Sequence, residues 1–483
     1  MSGEDYVRSK IVCTVGPASS SPEMLGAMVE AGMDVARLNL SHGAEEEHRK
    51  VIKTLRGIGG VAVLIDVPGP KMRLGEIAGP AVLRKGDEVH FTTEPIVGDR
   101  RVLPVNYDKL PAEVRVGGRV FINDGLIEVT VDSIDGDLKG FSGSVVSGGE
   151  VLSHKGVNAP GATLSVRPPT EQDLEGIRFG VEEEADWFAA SFIRDGRDVE
   201  NFTRAVRDAG GDQPVISKIE HGEAIRNIDE IIAASDGVMV ARGDLGIEVK
   251  PWEVPLLQKS IIGKCNAVGK PVIVATQMLE SMVLNPRPTR AEASDVANAI
   301  LDGADAVMLS EETATGLYPL EAVRAMDSLG RAVEEGAPPR RVKGPKGGQR
   351  IPDLIGSLAA EAVESVKPAA IIVVTRSGFS ALMVSKYRPR TRILAVARDE
   401  KVARRMHLFW GVQPLDVPWT EDRNELILRA VTVGLEEGHL ERGSVIMLVS
   451  GSTLEAPGRT STLEILNVGD LLSHASAKSE GPA

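Results

Sequence analysis

The sequence predicts an α/β protein, a closed (β/α)8 TIM barrel with an inserted β-rich lid domain and a C-terminal α/β domain. Three observations support this fold class. Short apolar runs rich in β-branched residues alternate with amphipathic helical stretches from Lys10 onward. One segment of roughly 100 residues, itself domain-sized, interrupts the alternation. A second strand–helix pattern follows a segment rich in proline, glycine and cations. Strands that alternate with helices indicate a parallel sheet.

About eight strand–helix units precede the proline- and glycine-rich segment, which favours a closed barrel over an open, doubly wound sheet. Predicted helices include Pro22–Ala31, Val199–Ala209 and Val254–Val268. The predicted barrel strands are Ile11–Val15, Val35–Leu38, Val61–Asp66, Trp187–Ser191, Val215–Lys218, Val238–Ala241, Val272–Thr276 and Ala306–Ser310.

The interruption lies between Asp66 and about Arg167. It is rich in valine and glycine and contains the turn sequence Asn123–Asp124–Gly125. Arg119–Ile122 and Leu126–Val131 are predicted antiparallel strands. An insertion of this size after a barrel strand lies at the active-site end, and it is therefore a candidate lid.

The C-terminal part begins after a predicted helix, Pro319–Glu335, and a predicted linker over 337–350. The tail from Ser473 is predicted to be frayed. We expect the barrel to comprise 1–69 and 169–338, the lid domain 70–168 and the C-terminal domain 350–483. The predicted C-terminal strands are Ile371–Thr375, Ile393–Ala397, Val445–Val449 and Glu464–Val468.

Composition narrows the class of protein. The chain has 483 residues and a formal net charge of −14, which argues against a general binder of nucleic acid or anionic membranes. Its two cysteines, Cys13 and Cys265, form neither a disulfide framework nor a zinc signature. The N-terminal residues lack the apolar core of a signal peptide, and no apolar run is long enough to span a bilayer. We therefore expect a cytoplasmic enzyme or binding protein.

Charged residues cluster at two predicted strand ends. Lys218 and Glu220 lie two residues apart, as do Arg242 and Asp244. Residues two apart on an extended chain point to the same side, so each strand is predicted to aim a cation and an anion at one place. Glu220 and Asp244 together can hold a hard divalent cation, with Lys218 beside it. Alternatively, the carboxylates are helix N-caps or exposed loop residues.

Two other kinds of site are excluded. The segment Gly263–Lys270 resembles a phosphate-binding P-loop, but five residues separate its glycines and Pro271 stands where serine or threonine is required. The eight histidines include no HExxH pattern, and there is no GxSxG elbow. Zinc-hydrolase and serine-hydrolase chemistry are therefore not expected.

Long blocks of the sequence closely resemble the pyruvate kinase family. The resemblance covers the barrel, the insertion through HKGVNAPG (His154–Gly161) and, more weakly, the C-terminal domain. The blocks occur in the family's order: Val12–Ser19, ARLNLSHG (Ala36–Gly43), ISKIE (Ile216–Glu220), VMVARGDLG (Val238–Gly246), VIVATQMLESM (Val272–Met282) and Pro286–Gly316.

The resemblance implies transfer of a phosphoryl group from phosphoenolpyruvate to ADP, the last step of glycolysis. Such transfer depends mainly on positioning and charge neutralisation. By similarity, Glu220 and Asp244 bind Mg2+ or Mn2+, and Lys218 stabilises the phosphoryl group during its transfer. Arg37 reaches the phosphoryl group from the other side. The main-chain amides of Gly243 and Asp244, with Thr276, hold the substrate carboxylate.

The resemblance also assigns nucleotide and proton-transfer residues. Thr276 and Ser310 are expected to hold the water that protonates the enolate, supported by Glu312, and Asp124 is a looser candidate that joins on lid closure. The residues expected to bind nucleotide are Asn39, Ser41, His42, Arg73 and Lys155.

Lys71 marks a departure from many family members. Those members require K+ and have a glutamate at this position, whereas the sequence here reads Asp66–Val67–Pro68–Gly69–Pro70–Lys71. The Lys71 ammonium can supply the missing monovalent charge, as the resemblance to the family's K+-independent branch also implies. The alternative is that Lys71 points into solvent from the hinge of the lid.

The C-terminal domain contains the segment TRSGFSA after a predicted strand. Hydroxyl groups, a glycine and a helix start can cradle a phosphate. By similarity this is an effector-binding loop for a phosphorylated allosteric ligand, although Phe379 replaces a frequent arginine. The family is usually tetrameric, and Arg287–Glu292 resembles its interface segment. The candidate effector residues are Thr375, Arg376, Ser377, Gly378 and Ser380.

Two other functions stay open on the sequence. A metal-dependent lyase or aldolase of pyruvate-like substrates shares a barrel and an acidic metal pair, but it needs neither the inserted lid nor Arg73 and Lys155. A catalytically silent, ligand-sensing homologue is disfavoured, because the chain has the expected site residues Lys218, Glu220, Asp244 and Thr276. Dependence of the reaction on ADP distinguishes the first alternative.

Overall fold

The computed structural model describes residues 6–79, 81–162, 164–340, 342, 350–451 and 460–479. Its strands, in chain order, are β1 (Lys10–Thr14), β2 (Val35–Asn39), β3 (Ala62–Val67), β4 (Ala81–Leu83), β5 (Glu88–Thr92), β6 (Val102–Pro104), β7 (Arg119–Ile122), β8 (Ile127–Ile134), β9 (Gly140–Ser147), β10 (Gly149–Val151), β11 (Val157–Asn158), β12 (Trp187–Ala190), β13 (Val215–Ile219), β14 (Gly237–Ala241), β15 (Val272–Ala275), β16 (Ala306–Leu309), β17 (Ala370–Thr375), β18 (Arg392–Ala397), β19 (Val412–Leu415), β20 (Val445–Gly451) and β21 (Thr460–Asn467).

Helices connect most of these strands, and three short 3-10 helices cover Pro251–Glu253, Glu280–Val283 and Met406–Leu408. The α-helices are α1 (Pro22–Glu30), α2 (Glu45–Ile58), α3 (Leu110–Glu113), α4 (Glu171–Glu182), α5 (Gly196–Asp208), α6 (Gly222–Arg226), α7 (Ile228–Ala234), α8 (Arg242–Glu248), α9 (Val254–Val268), α10 (Arg290–Asp302), α11 (Glu311–Ala314), α12 (Pro319–Gly336), α13 (Ile351–Val366), α14 (Phe379–Ser385), α15 (Glu400–Arg405), α16 (Arg423–Glu436) and α17 (Val468–Ser479).

Eight parallel strands close into a barrel in the order β1-β16-β15-β14-β13-β12-β3-β2. The closing pair aligns Lys10 with Ala306 and Cys13 with Leu309. These strands are almost wholly buried, because side chains fill the barrel inside and helices cover it outside. The predicted barrel is confirmed.

Local capping sets where the helices begin. The Thr289 hydroxyl accepts from the Glu292 amide while the Glu292 carboxylate accepts from the Thr289 amide, which is a capping box at the start of α10. Asp195 caps α5 in a similar way, accepting from the amides of residues 197 and 198. Helix α5 therefore begins at Gly196, before the predicted start at Val199.

The segment between β3 and α4 forms two small sheets. Six strands pair in the order β11-β7-β8-β9-β5-β6, and β10 pairs with β4. The core of the larger sheet includes Phe91 stacked on Phe141, with ring centroids 4.6 Å apart. The predicted strand Arg119–Ile122 is confirmed, whereas the next strand begins at Ile127 and runs to Ile134.

The C-terminal sheet has the order β19-β18-β17-β20-β21, and only its edge strand β21 is antiparallel. The predicted linker falls largely outside the described residues, which lack 341 and 343–349. The predicted frayed tail is helical as far as Ser479 in α17, and 480–483 lie outside the described residues.

The C-terminal sheet contacts the amino ends of the barrel strands. Asp186, just before β12, accepts from Arg56 of α2 at 2.9 Å and from Arg404 of α15 at 2.8 Å. The Trp187 indole donates to the Arg405 carbonyl at 3.1 Å. The carboxyl ends of the barrel strands therefore face away from this contact. Within the described part of the chain, no helix has the length and apolar character needed to cross a membrane.

Candidate active site

A buried cluster of alternating charges lies at the carboxyl ends of β2, β3 and β13. Lys218 Nζ is 2.8 Å from Glu220 Oε1 and 3.2 Å from Asp66 Oδ1. The other oxygen of Asp66 accepts from Arg37 Nε at 2.7 Å, and Arg37 Nη1 donates to the Thr14 hydroxyl at 2.8 Å. One carboxylate that is 1% exposed thus holds two cations.

Mutual charge stabilisation keeps this cluster ionised. Burial lowers the pKa of Lys218, but Asp66 and Glu220 outweigh it and the net shift is upward. Burial raises the pKa of Asp66, but Lys218 and Arg37 outweigh it and the net shift is downward. The sequence prediction that Lys218 and Glu220 point to one place is confirmed, because both project from the end of β13.

The second strand end differs from the prediction. Helix α8 already begins at Arg242, so Arg242 and Asp244 do not share one side of an extended chain. Arg242 turns away instead, donating to Asp295 Oδ2 at 2.6 Å and to the Thr276 carbonyl at 2.6 Å. The expectation that Arg242 and Asp244 aim at one place is therefore wrong.

Asp244 faces the cluster from the first turn of α8. Its Oδ1 accepts from Lys71 Nζ at 3.2 Å, and Glu220 Oε2 accepts from the Phe192 amide at 2.9 Å. Burial raises the pKa of Glu220, and Asp244 adds to the rise against the opposing effect of Lys218. The two carboxylates therefore repel each other across the space between β13 and α8.

These two carboxylates fit a hard divalent cation in donor type and charge. Carboxylate oxygens are preferred ligands of Mg2+, which commonly takes only one or two of them and keeps waters or substrate phosphates as its other ligands. A cation between Glu220 and Asp244 would remove their repulsion. Among the described residues, no group of three His, Cys, Asp or Glu side chains forms a ready-made metal site.

Thr276 and Ser310 follow two neighbouring strands. Thr276 has a φ of 67°, which is strained for a β-branched residue. Its hydroxyl donates to the Ala275 carbonyl at 2.6 Å and accepts from the Gly243 amide at 2.8 Å. The Gly243 amide, which is predicted to hold substrate, is thus already bonded to Thr276.

Ser310 has a buried hydroxyl that makes no hydrogen bond to the described protein. Its amide donates to Glu312 Oε2 at 2.7 Å, and the Leu279 amide donates to Glu312 Oε1 at 3.0 Å. Burial raises the pKa of Glu312. A buried, unsatisfied hydroxyl is costly, so the Ser310 oxygen is a natural partner for a bound water or ligand.

The predicted nucleotide residues lie on the turn after β2 and on the insertion. Asn39 Oδ1 accepts from the Ser41 amide at 3.1 Å, and Arg73 Nη1 donates to the His154 carbonyl at 3.1 Å. Burial lowers the pKa of His42, and so do Arg73, Arg37 and Lys71, in that order. His42 and these three cations therefore share one electropositive region.

Two predicted residues of the insertion, Lys155 and Asp124, are less tightly held. Lys155 is partly exposed, although its carbonyl accepts from the Leu74 amide at 2.8 Å. Asp124 is exposed in a turn with a φ of 55°, and Gly125 beside it faces Ile247 of α8. The insertion therefore reaches the edge of the charged cluster.

Sequence reasoning missed two polar partners in the cluster. The Ser191 hydroxyl accepts from Lys218 Nζ at 2.8 Å and donates to Asp66 Oδ1 at 3.3 Å. Thr14, on the neighbouring strand β1, accepts a hydrogen bond from Arg37 on β2. Both lie at the ends of predicted strands, and that position is the signal that could have identified them.

The predicted effector residues lie on the turn between β17 and α14. Gly378 has a φ of 81°, which favours glycine, and Ser377 is exposed. Thr375 is buried at the end of β17, and the Ser380 hydroxyl lies 2.7 Å from the Thr460 hydroxyl. The turn thus contains mainly neutral groups, and one of its hydroxyls is paired with Thr460.

Arg376 is the cation of this turn. Its Nη2 donates to Glu421 Oε2 at 2.6 Å, and its guanidinium carbon lies 5.9 Å from the centroid of the Trp419 ring. The positive charge is therefore already paired.

The fold and the cluster define a (β/α)8-barrel enzyme with convergent cations and carboxylates at the carboxyl ends of its strands, where barrel enzymes place their chemistry. Such an arrangement suits a multiply charged anionic substrate. Two family models match the chain. The pyruvate kinase barrel domain covers residues 6–323, and the pyruvate kinase alpha/beta domain covers residues 353–466.

Two curated relatives are similar over nearly the whole chain. Pyruvate kinase from Staphylococcus aureus (strain MRSA252) is 41% identical over 483 residues, covering 98% of this chain and 83% of the relative. Pyruvate kinase from Sporosarcina psychrophila is 41% identical over 475 residues, covering 96% and 81%. The chain belongs to the pyruvate kinase family and is a phosphotransferase.

Proposed function

We propose that Lys218 and Arg37 carry phosphoryl transfer from phosphoenolpyruvate to ADP, and that Asp66 positions both. The observation that carries this proposal is the single buried carboxylate bonded to both cations. The transferring group spreads negative charge over its oxygens, so two preorganised cations lower the barrier without reorganising. Lys218 stays protonated because Asp66 and Glu220 raise its pKa.

Glu220 and Asp244 are proposed to hold Mg2+ or Mn2+. The bound cation would supply charge neutralisation for the carboxylate and phosphoryl oxygens of the substrate. The Gly243 and Asp244 amides, with Thr276, would then bind the substrate carboxylate at the start of α8. The support is the donor chemistry of the two carboxylates and their mutual repulsion.

Protonation of the enolate is proposed to use a water held by Thr276 and Ser310. Thr276 already donates to one carbonyl, and Ser310 has a buried hydroxyl without a partner in the described protein. Glu312 accepts from two amides around Ser310 and so positions it. Neither hydroxyl needs to ionise, since each only orients the water.

Nucleotide phosphates are proposed to bind Arg73 and Lys155 of the insertion and the turn containing Asn39, Ser41 and His42. The support is the positive charge near His42: burial lowers the pKa of His42 most, and Arg73, Arg37 and Lys71 lower it further. We further propose that 70–168 acts as a lid between the two barrel segments 1–69 and 169–338. Closure would bring Asp124 towards the substrate.

Lys71 is proposed to replace the monovalent cation, making the enzyme independent of K+. Its ammonium lies 3.2 Å from Asp244, and its side chain is 26% exposed, so it does not point freely into solvent. The stem of Lys71 also lies next to the insertion, since a Cβ on Gly156 would be in ordinary contact with Lys71 Cε at 3.4 Å. Both oxygens of Asp66 are also occupied, by Arg37 and by Lys218.

The decisive experiment measures pyruvate release from phosphoenolpyruvate with Mg2+ and ADP, in K+-free buffer and with KCl at constant ionic strength. Equal rates support the Lys71 assignment. A large stimulation by KCl would support the phosphotransferase activity but would show that Lys71 does not replace the monovalent cation. Pyruvate release without ADP would favour the lyase or aldolase, and no release in either buffer would favour a silent homologue.

Two further proposals concern regulation and subunit assembly. A phosphorylated effector is proposed to bind the turn of Thr375, Arg376, Ser377, Gly378 and Ser380 in the C-terminal domain (350–483), and Arg287–Glu292 is proposed to join subunits in a homotetramer. Phosphate-bearing metabolites should then shift the affinity for phosphoenolpyruvate. If they neither shift it nor raise the melting temperature, the loop is only a turn.

A further inference from the structure

A buried polar contact joins the turn after β13 to the end of α8. His221 Nε2 lies 3.3 Å from Glu248 Oε2, and the two side chains are only 14% and 6% exposed. The Gly222 amide hydrogen-bonds the same carboxylate. The turn also approaches the helix closely, since a Cβ on Gly222 would lie 4.0 Å from Glu248 Oε2. These three residues are called the clip below.

The clip adjoins both of the carboxylates proposed to bind the divalent cation. Glu220 directly precedes His221, and Asp244 lies one helical turn before Glu248. Residues four apart lie on the same face of a helix, so Asp244 and Glu248 share one face of α8. The clip therefore ties the chain that carries Glu220 to the helix that carries Asp244.

Helix α8 is held in a different way at its other end. Arg242, its first residue, donates to Asp295 Oδ2 and to the Thr276 carbonyl, both at 2.6 Å. Glu248 is its last residue. Asp244 thus lies between two attachments, and the one made by Glu248 reaches the turn that follows Glu220.

The ring of His221 is oriented by its own turn. Its Nδ1 accepts from the Glu223 amide at 3.1 Å and so caps α6. A ring whose Nδ1 accepts carries its proton on Nε2, which is the atom that faces Glu248. The capping bond therefore presents a donor to the carboxylate at the end of α8.

The Glu248 carboxyl group is shielded from water. Burial raises its pKa to about 7, and Asp244 adds to the rise against the opposing effect of the Gly222 amide. Glu248 therefore carries less than a full charge near neutral pH. What it gives to the clip is chiefly its acceptor oxygens, and glutamine, which keeps one of them in the same shape, is a close substitute.

We propose that the clip positions Glu220 and Asp244 for the divalent cation, with Glu248 as its central residue. This role depends on the metal site proposed above for the two carboxylates. Mg2+ demands near-ideal octahedral geometry, so its binding is sensitive to how its ligands are held. Groups that hold metal ligands in place typically contribute about 10- to 100-fold to metal affinity. Loss of the clip should therefore weaken the cation without removing a ligand.

The test measures Mn2+ binding to the full chain without substrate, by electron paramagnetic resonance of the free ion at neutral pH. Glu220→Gln identifies the Mn2+ held by the two carboxylates, because it replaces a charged ligand by a neutral amide. Glu248→Ala should weaken this Mn2+ at least about tenfold. Glu248→Gln keeps an acceptor oxygen in place and should bind Mn2+ about as tightly as the unsubstituted chain.

Competition of Mg2+ and Ca2+ with the bound Mn2+ distinguishes positioning from a general loosening of the helix. Ca2+ accepts flexible coordination, whereas Mg2+ does not. Glu248→Ala should therefore weaken Mg2+ more than it weakens Ca2+, at constant ionic strength. Melting temperatures of the ligand-free variants show that each chain is folded.

His221→Asn tests the clip with the helix cap retained. Asparagine is a good N-cap residue, but its shorter side chain does not extend to Glu248 as the imidazole does. The variant should weaken Mn2+ less than Glu248→Ala does, because the Gly222 amide still bonds the carboxylate. Glu253→Ala, at an exposed position in the 3-10 helix after α8, is the matched control and should bind Mn2+ normally.

The outcomes separate the clip from the metal site. If Glu220→Gln keeps the tightly bound Mn2+, the metal assignment fails and the clip fails with it. If Glu220→Gln loses the ion while Glu248→Ala binds it as tightly as Glu253→Ala, only the clip is refuted. Equal weakening by Glu248→Gln and Glu248→Ala would assign the effect to charge. Equal weakening of Mg2+ and Ca2+ would assign it to loosening of α8, and either result refutes the positioning role.

Discussion

The carboxyl ends of the barrel strands and the turn after β17 both follow strands with parallel neighbours, yet the two regions differ in charge. At the barrel, Asp66 holds Arg37 and Lys218 in a buried cluster. In the C-terminal sheet, the cation Arg376 is paired with Glu421, whose side chain is 63% exposed. The same strand-to-helix geometry therefore produces a desolvated, convergent charge site in one region and, in the other, a turn whose single cation is neutralised by an exposed carboxylate.

The difference shows that position at a strand end does not by itself create a reactive site. Charges gain strength when water is removed and when several converge on one point. The barrel provides both conditions, because its closure directs Lys218 and Glu220 from the end of β13 and Arg37 from β2 into one space. The C-terminal turn provides a glycine and hydroxyls, but its cation Arg376 is paired with a largely exposed carboxylate. The following substitutions test this comparison, from the largest expected effect to the smallest.

Lys218→Met should nearly abolish turnover. Removing the buried ammonium takes away charge that is stronger in the transition state, so we expect kcat to fall by about a thousandfold or more. The measurement is steady-state pyruvate release with Mg2+ and ADP. Lys53→Met, at an exposed position on α2, is the control and should be unchanged. A Lys218→Met enzyme with near-normal kcat would show that the buried cluster is only structural.

Asp66→Asn should reduce both stability and activity. It leaves Arg37 and Lys218 buried without their shared counter-charge, which typically costs about 3–5 kcal/mol in unfolding free energy. Misplaced cations should lower kcat about a hundredfold. Urea denaturation and kinetics are measured together, with exposed Asp99→Asn as control. Unchanged kcat in a folded Asp66→Asn chain would refute the positioning role.

Lys71→Glu should make activity depend on KCl. The proposal expects equal rates with and without KCl in the unsubstituted chain, and about a tenfold or larger loss in K+-free buffer for the variant, because a neighbouring charge is inverted. Added KCl should restore most of the rate. Lys85→Glu, exposed on the insertion, is the control. If KCl fails to rescue Lys71→Glu but stimulates the unsubstituted chain, Lys71 is not the built-in cation.

Glu421→Gln tests the C-terminal side of the comparison. Releasing Arg376 from its partner should raise the affinity of the turn for inorganic phosphate only a few-fold, because Glu421 is 63% exposed and an ion pair to such a group contributes little. Titration of phosphate against the full chain measures this, and Glu425→Gln on α16 is the control. A large gain in affinity would mean that the turn is held inactive by Glu421, contrary to the comparison.

Asp212 gives the smallest expected effect. Burial raises its pKa, but Lys401 and Arg405 outweigh it and lower the pKa to about 2. Because the folded pKa is depressed, the stabilisation is fully present above pH 4 and is lost as pH falls towards 2. The side chain is 60% exposed, so Asp212→Asn should cost under about 1 kcal/mol at pH 7. The urea midpoints of variant and parent are measured at pH 7 and at pH 3. The difference between the two chains should be smaller at pH 3 than at pH 7.

Much of the fold could be predicted from local pattern. The barrel strands were recognisable because strands packed on both faces are continuous apolar runs, as in Val272–Ala275. Helix ends were less accurate, since Asp195 extends α5 by side-chain capping that apolar periodicity does not reveal. The antiparallel edge strand β21 also could not be assigned a direction, because direction depends on which neighbour it pairs with.

The candidate site was predictable in its residues but not in its contacts. The sequence by itself determined that Lys218 and Glu220 share one side of a strand, because the period of an extended chain is two residues. Only the tertiary structure decided that Asp66 bridges Arg37 and Lys218, and that Arg242 turns away to Asp295. Those contacts join residues far apart in the chain, and barrel closure and the helical start of α8 set them.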